Sequence, residues 1–243
     1  MRLSISGTYG SGKTSTVTAL SYFTGIPYAP VKAIREILPD AVPGKRLTQV
    51  TPAEYLQVAV RRHTHRAVNE ARLGAQYLAD GSSLQDWIYA AARVEFGMDP
   101  GRPGAGPDPD SADMRFFAAV TEQLGHAFKQ HVRESFDAFV HLRRPPGPIR
   151  PGSGHHRPMN EEFRSYCDDM LLRTLDELKI PCLVVDGPIP GRLEQITDHY
   201  ELSPVRSLDQ ALQLARADYA SIDWCLEQQR PQGDPAPLAT ATR

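Results

Sequence analysis

Eight consecutive residues near the start of the chain, Gly7-Thr8-Tyr9-Gly10-Ser11-Gly12-Lys13-Thr14, fit the pattern Gly-x4-Gly-Lys-Ser/Thr at every fixed position. Such a turn can point successive backbone N–H groups inward and form a concave nest for an anion. The positive end of a helix beginning at Lys13 adds to that field. Lys13 is long enough to reach the β- and γ-phosphates of a nucleoside triphosphate. The Thr14 hydroxyl is a hard oxygen suited to Mg²⁺ whose other ligands are phosphate and water. Gly7, Gly10, Ser11, Gly12, Lys13, Thr14 and Ser15 are therefore the expected nucleotide-holding residues, with ATP and Mg²⁺ as ligands.

The loop works only between a strand and a helix, and the surrounding sequence supplies both. Leu3 to Ser6 reads as a strand, and Lys13 to Phe23 as a helix ended by Thr24-Gly25. Further strand candidates lie at Ile26 to Ala29, Ala75 to Ala79, Phe136 to Leu142 and Pro181 to Asp186. Helical spacing runs from Ala53 to Leu73, Leu84 to Phe96, Met114 to Glu134, Asn160 to Leu178, Glu194 to Tyr200 and Leu208 to Leu226. Thr51-Pro52-Ala53-Glu54 has the cap, the N1 proline and the glutamate of a helix start. Short strands alternating with long helices predict an α/β fold: a five-stranded, mainly parallel sheet with helices on both faces. Residues 1–202 form the expected main domain, 203–230 a helical extension and 231–243 a disordered tail. Residues 97–113, dense in Pro, Gly and Asp, predict a mobile loop, and residues 143–158, rich in Pro, Gly, Arg and His, a lid.

The 243 residues are 41% hydrophobic and 23% charged, which excludes wholesale disorder. A formal charge of −2 argues against a general nucleic-acid binder, so any anion site is local. Three scattered cysteines make no disulfide framework, and no apolar stretch is long enough to span a membrane. These features predict a cytoplasmic protein with no membrane and no nucleic-acid partner; a homodimer is compatible with them.

Binding a triphosphate does not fix what is done with it. The chain has no Asn-Lys-x-Asp for reading guanine, and its second well-patterned strand ends in the single acid Asp80, followed by Gly81. One carboxylate at that strand end suffices to take a proton from an acceptor hydroxyl or to anchor Mg²⁺. Asp80 is equally a residue type that favours turns before Gly.

The loop Gly7 to Thr14, the segment Ile34-Arg35-Glu36, Asp80-Gly81-Ser82 and Gly187-Pro188-Ile189-Pro190-Gly191-Arg192 together resemble P-loop kinases of the nicotinamide riboside kinase type. They are also similar to thymidylate and deoxynucleoside kinases and to actinobacterial AAA-type ATP-binding proteins. The resemblance implies transfer of the ATP γ-phosphoryl group to a small-molecule hydroxyl, with Asp80 as base or metal anchor alongside Thr14. It departs from the nicotinamide riboside kinases at Ser82, where a second Asp is usual. Asp86, one turn further, is either the replacement or a first-turn acid favoured by the helix dipole. The resemblance further implies acceptor contacts from Arg35 and Glu36, which as a plain alternative form an exposed ion pair. It implies the same for Gln57 and Arg61, which share a helix face. Lid arginines, Arg157 first and Arg143 or Arg144 next, would neutralise charge on the transferring group. Arg192 would lie beside the adenine. Other outcomes of the same loop are a nucleotide-dependent regulator or resistance protein and a simple NTPase acting on water.

Overall fold

The computed structural model describes residues 1–102, 107–144 and 160–222. Most of the expected lid, with Arg157, and the expected tail lie outside the described residues. Four strands form one parallel sheet, β1 (Arg2–Ser6), β2 (Tyr77–Asp80), β3 (Ala138–Leu142) and β4 (Cys182–Val185), in the order β2-β1-β3-β4. In register, Ile5 of β1 lies opposite Asp80 on one side and Val140 on the other. The end of β1 therefore emerges beside the acid at the end of β2. Because the chain steps from β1 first to one side and later to the other, this end is the switch point at which α/β sheets bind ligands.

Among the described residues the sheet has four strands, not the expected five. Ile26 to Ala29 contributes a single parallel bridge, Tyr28 to Leu78, through Leu78 N–H to Pro27 O and Ala29 N–H to Leu78 O, both 2.8 Å. Pro27 and Pro30 flank that bridge, and neither has an N–H with which to continue the ladder.

Helices cover both faces. One face carries α1 (Lys13–Thr24), α7 (Ile189–His199) and α8 (Leu208–Ala220). They pack on Leu3, Ile5, Val140 and Leu142, alternate residues of β1 and β3. The other face carries α3 (Pro52–Leu73), α4 (Ser83–Phe96), α5 (Ala112–Ser135) and α6 (Glu161–Glu177). Here Tyr77, Ala79 and Phe139 meet Trp87, Phe128, Phe163 and Leu171. The expected start of α3 is present: Thr51 Oγ1 accepts from Glu54 N–H at 3.3 Å and Glu54 accepts from Thr51 N–H at 2.7 Å. Ala211 and Ala215 of α8 are buried, with Leu208 and Leu212 partly so, which makes that stripe core packing.

Two elements differ from expectation. Helix α2 (Ile34–Ala41) forms although Pro39 lies inside it, at the cost of one i→i−4 hydrogen bond that proline, with no N–H, does not donate. Glu36 completes its first turn by accepting from Ala33 N–H at 2.7 Å. Helix α7 begins at Ile189, five residues before the expected start, since Pro188 and Pro190 hold helix-compatible φ angles in the opening turn. Arg192 therefore stands on a helix and not on a loop.

Candidate active site

Gly7 leaves β1 with φ +141°, and a Cβ there would lie 2.9 Å from the backbone oxygen of Leu142, so only glycine fits the exit. Gly12 at φ +86° then turns the chain into α1. Lys13 Nζ donates to the carbonyls of Gly7 at 2.6 Å and Thr8 at 3.0 Å, which curls its side chain over the loop. Desolvation chiefly lowers the Lys13 pKa; Asp80 and Asp168 oppose that shift, while Arg62 and Arg66 add to it.

The Thr14 hydroxyl donates to Asp80 Oδ2 at 2.5 Å, joining the first turn of α1 to the end of β2. A hydroxyl and a carboxylate oxygen side by side are the donor set that suits a hard cation needing most of its shell from phosphate and water. Among the described residues no group of three or more His, Cys, Asp or Glu could hold a metal without such help. The residues thus fit Mg²⁺ bound together with a nucleotide.

Asp168 of α6 supports the loop from the other side. It accepts from Thr8 N–H at 3.1 Å, from Thr8 Oγ1 at 3.2 Å and from Arg144 Nε at 3.2 Å. Burial first, against these donors, raises the Asp168 pKa. His141 Nε2 lies 3.5 Å from the same carboxylate, and burial first, with the charges of Lys13 and Arg143 adding, pushes its pKa down to about 4. Arg144 is also bonded to Glu161 and, at 2.6 Å, to Ser165 Oγ, so its guanidinium clamps the start of α6. Arg143 is exposed and 3.8 Å from Asp186.

Arg192 is buried beneath the loop. It donates to Ser11 O at 2.6 Å and Gly187 O at 2.8 Å, so it braces the loop's backbone.

On the far side of Asp80, α3 turns inward a different face from the one that carries Gln57 and Arg61. Gln57 and Arg61 are exposed. The stripe that turns inward runs Tyr55, Ala59, Arg62, Arg66, Glu70, at the three- and four-residue steps that share a helix face. Arg66 donates to Asp80 O at 3.0 Å, to Gly81 O at 3.2 Å and to Asp86 at 2.9 Å. Arg62 reaches the other Asp86 oxygen at 2.8 Å. Asp86 is thus neither a free carboxylate nor a mere dipole partner: two arginines hold it. Gln85, which sequence reasoning passed over, donates to Gly7 O and ties α4 to the loop. Arg35 is half-buried near Tyr219, whose raised pKa its charge partly offsets, and Glu36 serves its own helix cap. Tyr9 of the loop stacks on buried Tyr89 of α4 at 4.7 Å. Periodicity alone could have found Arg62 and Arg66, because they continue the apolar stripe from Tyr55 and Ala59.

With this geometry, the comparisons acquire meaning. Residues 2–192 match the family described as AAA domain. No curated protein matches the sequence. Among solved structures the chain is similar to deoxyadenosine kinase from M. mycoides with bound dATP, at 13% identity and TM-score 0.55 over 83% of this chain and 100% of that one. The M. mycoides enzyme with products dCMP and a flexible dCDP matches at 15% identity and TM-score 0.55, over 83% and 98%. At such identities the likeness establishes the P-loop α/β fold, with its parallel sheet and flanking helices.

Proposed function

The chain belongs to the AAA domain family, and on that premise we propose that it is an ATP-dependent phosphotransferase acting on a hydroxyl of a small molecule, of the nucleoside, nucleotide or specialised-metabolite kind. The observation that carries this reading is the 2.5 Å contact of Thr14 with Asp80 at the mouth of the phosphate loop. A carboxylate at the end of β2, joined to the first turn of α1, supports a role beside a γ-phosphate held by Lys13 and the loop amides. The likeness in fold to a deoxyadenosine kinase supports the same reading.

In this mechanism the loop amides and Lys13 hold the triphosphate tail. Bound Mg²⁺, held by Thr14 and Asp80 with the phosphates, would supply charge neutralisation on the phosphate oxygens. Asp80 accepts the proton as the acceptor oxygen bonds to the γ-phosphorus, and the bond from that phosphorus to the β–γ bridging oxygen breaks. ADP leaves with its charge held by Lys13. Lid arginines, Arg157 among them, complete charge neutralisation in this proposal, with Arg143 and Arg144 at the base of the lid. Arg35 and Glu36 are the further acceptor contacts of this proposal.

The test is incubation with ATP and Mg²⁺ against a panel of nucleosides, nucleotides and metabolites, read by mass spectrometry. A product heavier by one phosphoryl group supports the reading, with Lys13→Ala lowering its rate by on the order of 10²–10³-fold. Acceptor-independent phosphate release would identify an NTPase, and nucleotide binding without turnover a switch; either result overturns it.

A further inference from the structure

The acceptor side of Asp80 holds more positive charge than the fold can use. Arg93 of α4 is 1% exposed, and it donates to the Tyr55 hydroxyl at 3.1 Å and the Tyr89 carbonyl at 2.8 Å, both neutral. Its guanidinium also lies over the Tyr55 ring at 4.5 Å and 5.6 Å from the centre of Phe163. Among the described residues no carboxylate forms an ion pair with it. A guanidinium withdrawn from water without an opposite charge is destabilising. Cation–π contact offsets only part of that.

The neighbouring groups repeat the pattern. The Nε–H of Arg62, of Arg93 and of Arg164, and the Tyr89 hydroxyl, are all buried with no hydrogen-bond partner. Arg164 and Tyr89 are 3% and 5% exposed. Each unpaired buried donor is a loss of stability. A guanidinium N–H can only donate, and the Tyr89 hydroxyl can donate too, so the missing partner is rich in acceptor atoms. Asp86 cannot be that partner, since Arg66 and Arg62 already share it. Among the described residues Arg164 pairs with Glu161 at 3.5 Å, an exposed acid that Arg144 also engages.

These groups belong to one place. Tyr9 stacks on Tyr89, Tyr89 lies parallel to Phe163 at 6.4 Å, and Arg93 bonds the Tyr89 backbone. The charge of Arg62 acts on Tyr89, whose pKa burial raises, and Tyr9 and Asp80 in turn bias Arg62. The cluster is therefore walled by the phosphate loop's own Tyr9 and lies on the Asp80 side of it.

We infer that the acceptor carries an oxyanion of its own, a phosphate monoester or carboxylate, and that Arg62 and Arg93, with the Tyr89 hydroxyl, are the groups that read it. The inference rests on the phosphotransferase reading above and narrows its substrate class to anionic acceptors. It makes Arg62 and Arg93 specificity-determining residues, in addition to the residues that hold ATP.

Inorganic phosphate is the probe. The protein is first saturated with a non-hydrolysable ATP analogue and Mg²⁺, with uptake followed by calorimetry, so that the phosphate loop is filled. Phosphate is then compared with chloride at equal ionic strength. We expect phosphate at about ten times its Kd to raise the Tm by roughly 3–6 °C. Arg62→Gln should abolish that rise. Tyr89→Phe gives the control against a failure to fold, because deleting an unpartnered buried hydroxyl leaves the phosphate-free Tm equal or higher while reducing the phosphate response. An absent phosphate effect on the loaded protein, or one that both variants retain in full, overturns the inference and leaves the phosphotransferase reading standing. Failure to take up the ATP analogue removes both. Turnover assays with a nucleoside, its 5′-monophosphate and its 5′-carboxylate then separate the two oxyanion sources. Equal kcat/KM for the neutral and charged versions also overturns the inference.

Discussion

The groups on the two sides of Asp80 reach it by different routes. On the phosphate side, Lys13 and Thr14 belong to one run of eight residues whose geometry is set by backbone dihedrals at Gly7 and Gly12. On the side proposed for the acceptor, Arg62, Arg66, Asp86, Tyr89 and Arg93 come from two helices, α3 and α4, and meet only because particular helix faces are buried against each other. Phosphate oxygens are the same in every nucleoside triphosphate, so main-chain N–H groups on a fixed turn suffice. An acceptor has individual shape and charge, which only side chains can read.

Asp80 is the residue at which the two sides meet, and changing it should have the largest effect. Asp80→Asn keeps the size of the side chain and an oxygen for the Thr14 hydroxyl but removes the proposed base. Turnover should fall on the order of 10²–10⁴-fold. Binding of an ATP analogue, measured by calorimetry without acceptor, should change far less. Equal losses in the two measurements would mean that Asp80 belongs to the phosphate side alone.

The same contrast governs how much could be read beforehand. The nucleotide loop, its strand and its helix were legible because all their determinants lie within about twenty residues and act through backbone conformation. The parallel α/β character followed from alternating strand and helix lengths. The acceptor face was misread because Gln57 and Arg61 satisfy the one-turn spacing as well as Arg62 and Arg66 do, and only the position of the buried stripe decides between them. Arg192 was placed beside the adenine since a Gly/Pro-rich stretch reads as loop, whereas the two prolines begin a helix there. The Ile26 to Ala29 segment had strand composition, but its flanking prolines limit it to one bridge. No local pattern could have disclosed Arg93, whose oddity is the absence of a carboxylate brought near by the fold.

His141 gives an intermediate effect and tests the phosphate side through stability. Its folded pKa of about 4 lies below the unfolded value near 6.5. Above pH 6.5 both states are neutral and the fold keeps its full stability. Between pH 6.5 and 4 the unfolded chain binds a proton that the folded chain refuses. Stability therefore drops by about 1.4 kcal/mol per pH unit, roughly 3 kcal/mol in all. Asp168 acts in the opposite sense, because burial raises its folded pKa and it takes up a proton early as the pH falls, offsetting part of that loss. His141→Gln should flatten the decline in urea midpoint between pH 7.5 and 4.5. A slope unchanged by the substitution would show that the histidine is not held neutral beside Lys13.

Arg192 tests whether the phosphate side is as self-contained as its sequence suggests. Its guanidinium crosses from α7 to the carbonyl of Ser11, 181 positions away, and a Cβ on Gly12 would come within 3.1 Å of it. The loop's dihedrals are local, but the surface on which they rest is not. Arg192→Met keeps most of the apolar stem while leaving the Ser11 and Gly187 carbonyls without their donor. We expect ATP-analogue affinity to fall about tenfold, equivalent to roughly 1.4 kcal/mol, as the loop relaxes. The acceptor KM should move less than about threefold, because no group that reads the acceptor touches Arg192. Arg192→Lys should recover part of the affinity, since a single ammonium can reach one carbonyl but cannot span two as the planar fork does. If both ligands weaken equally, then α7 positions the whole mouth of the sheet, and the two sides are one mechanical unit despite their separate origins in the chain.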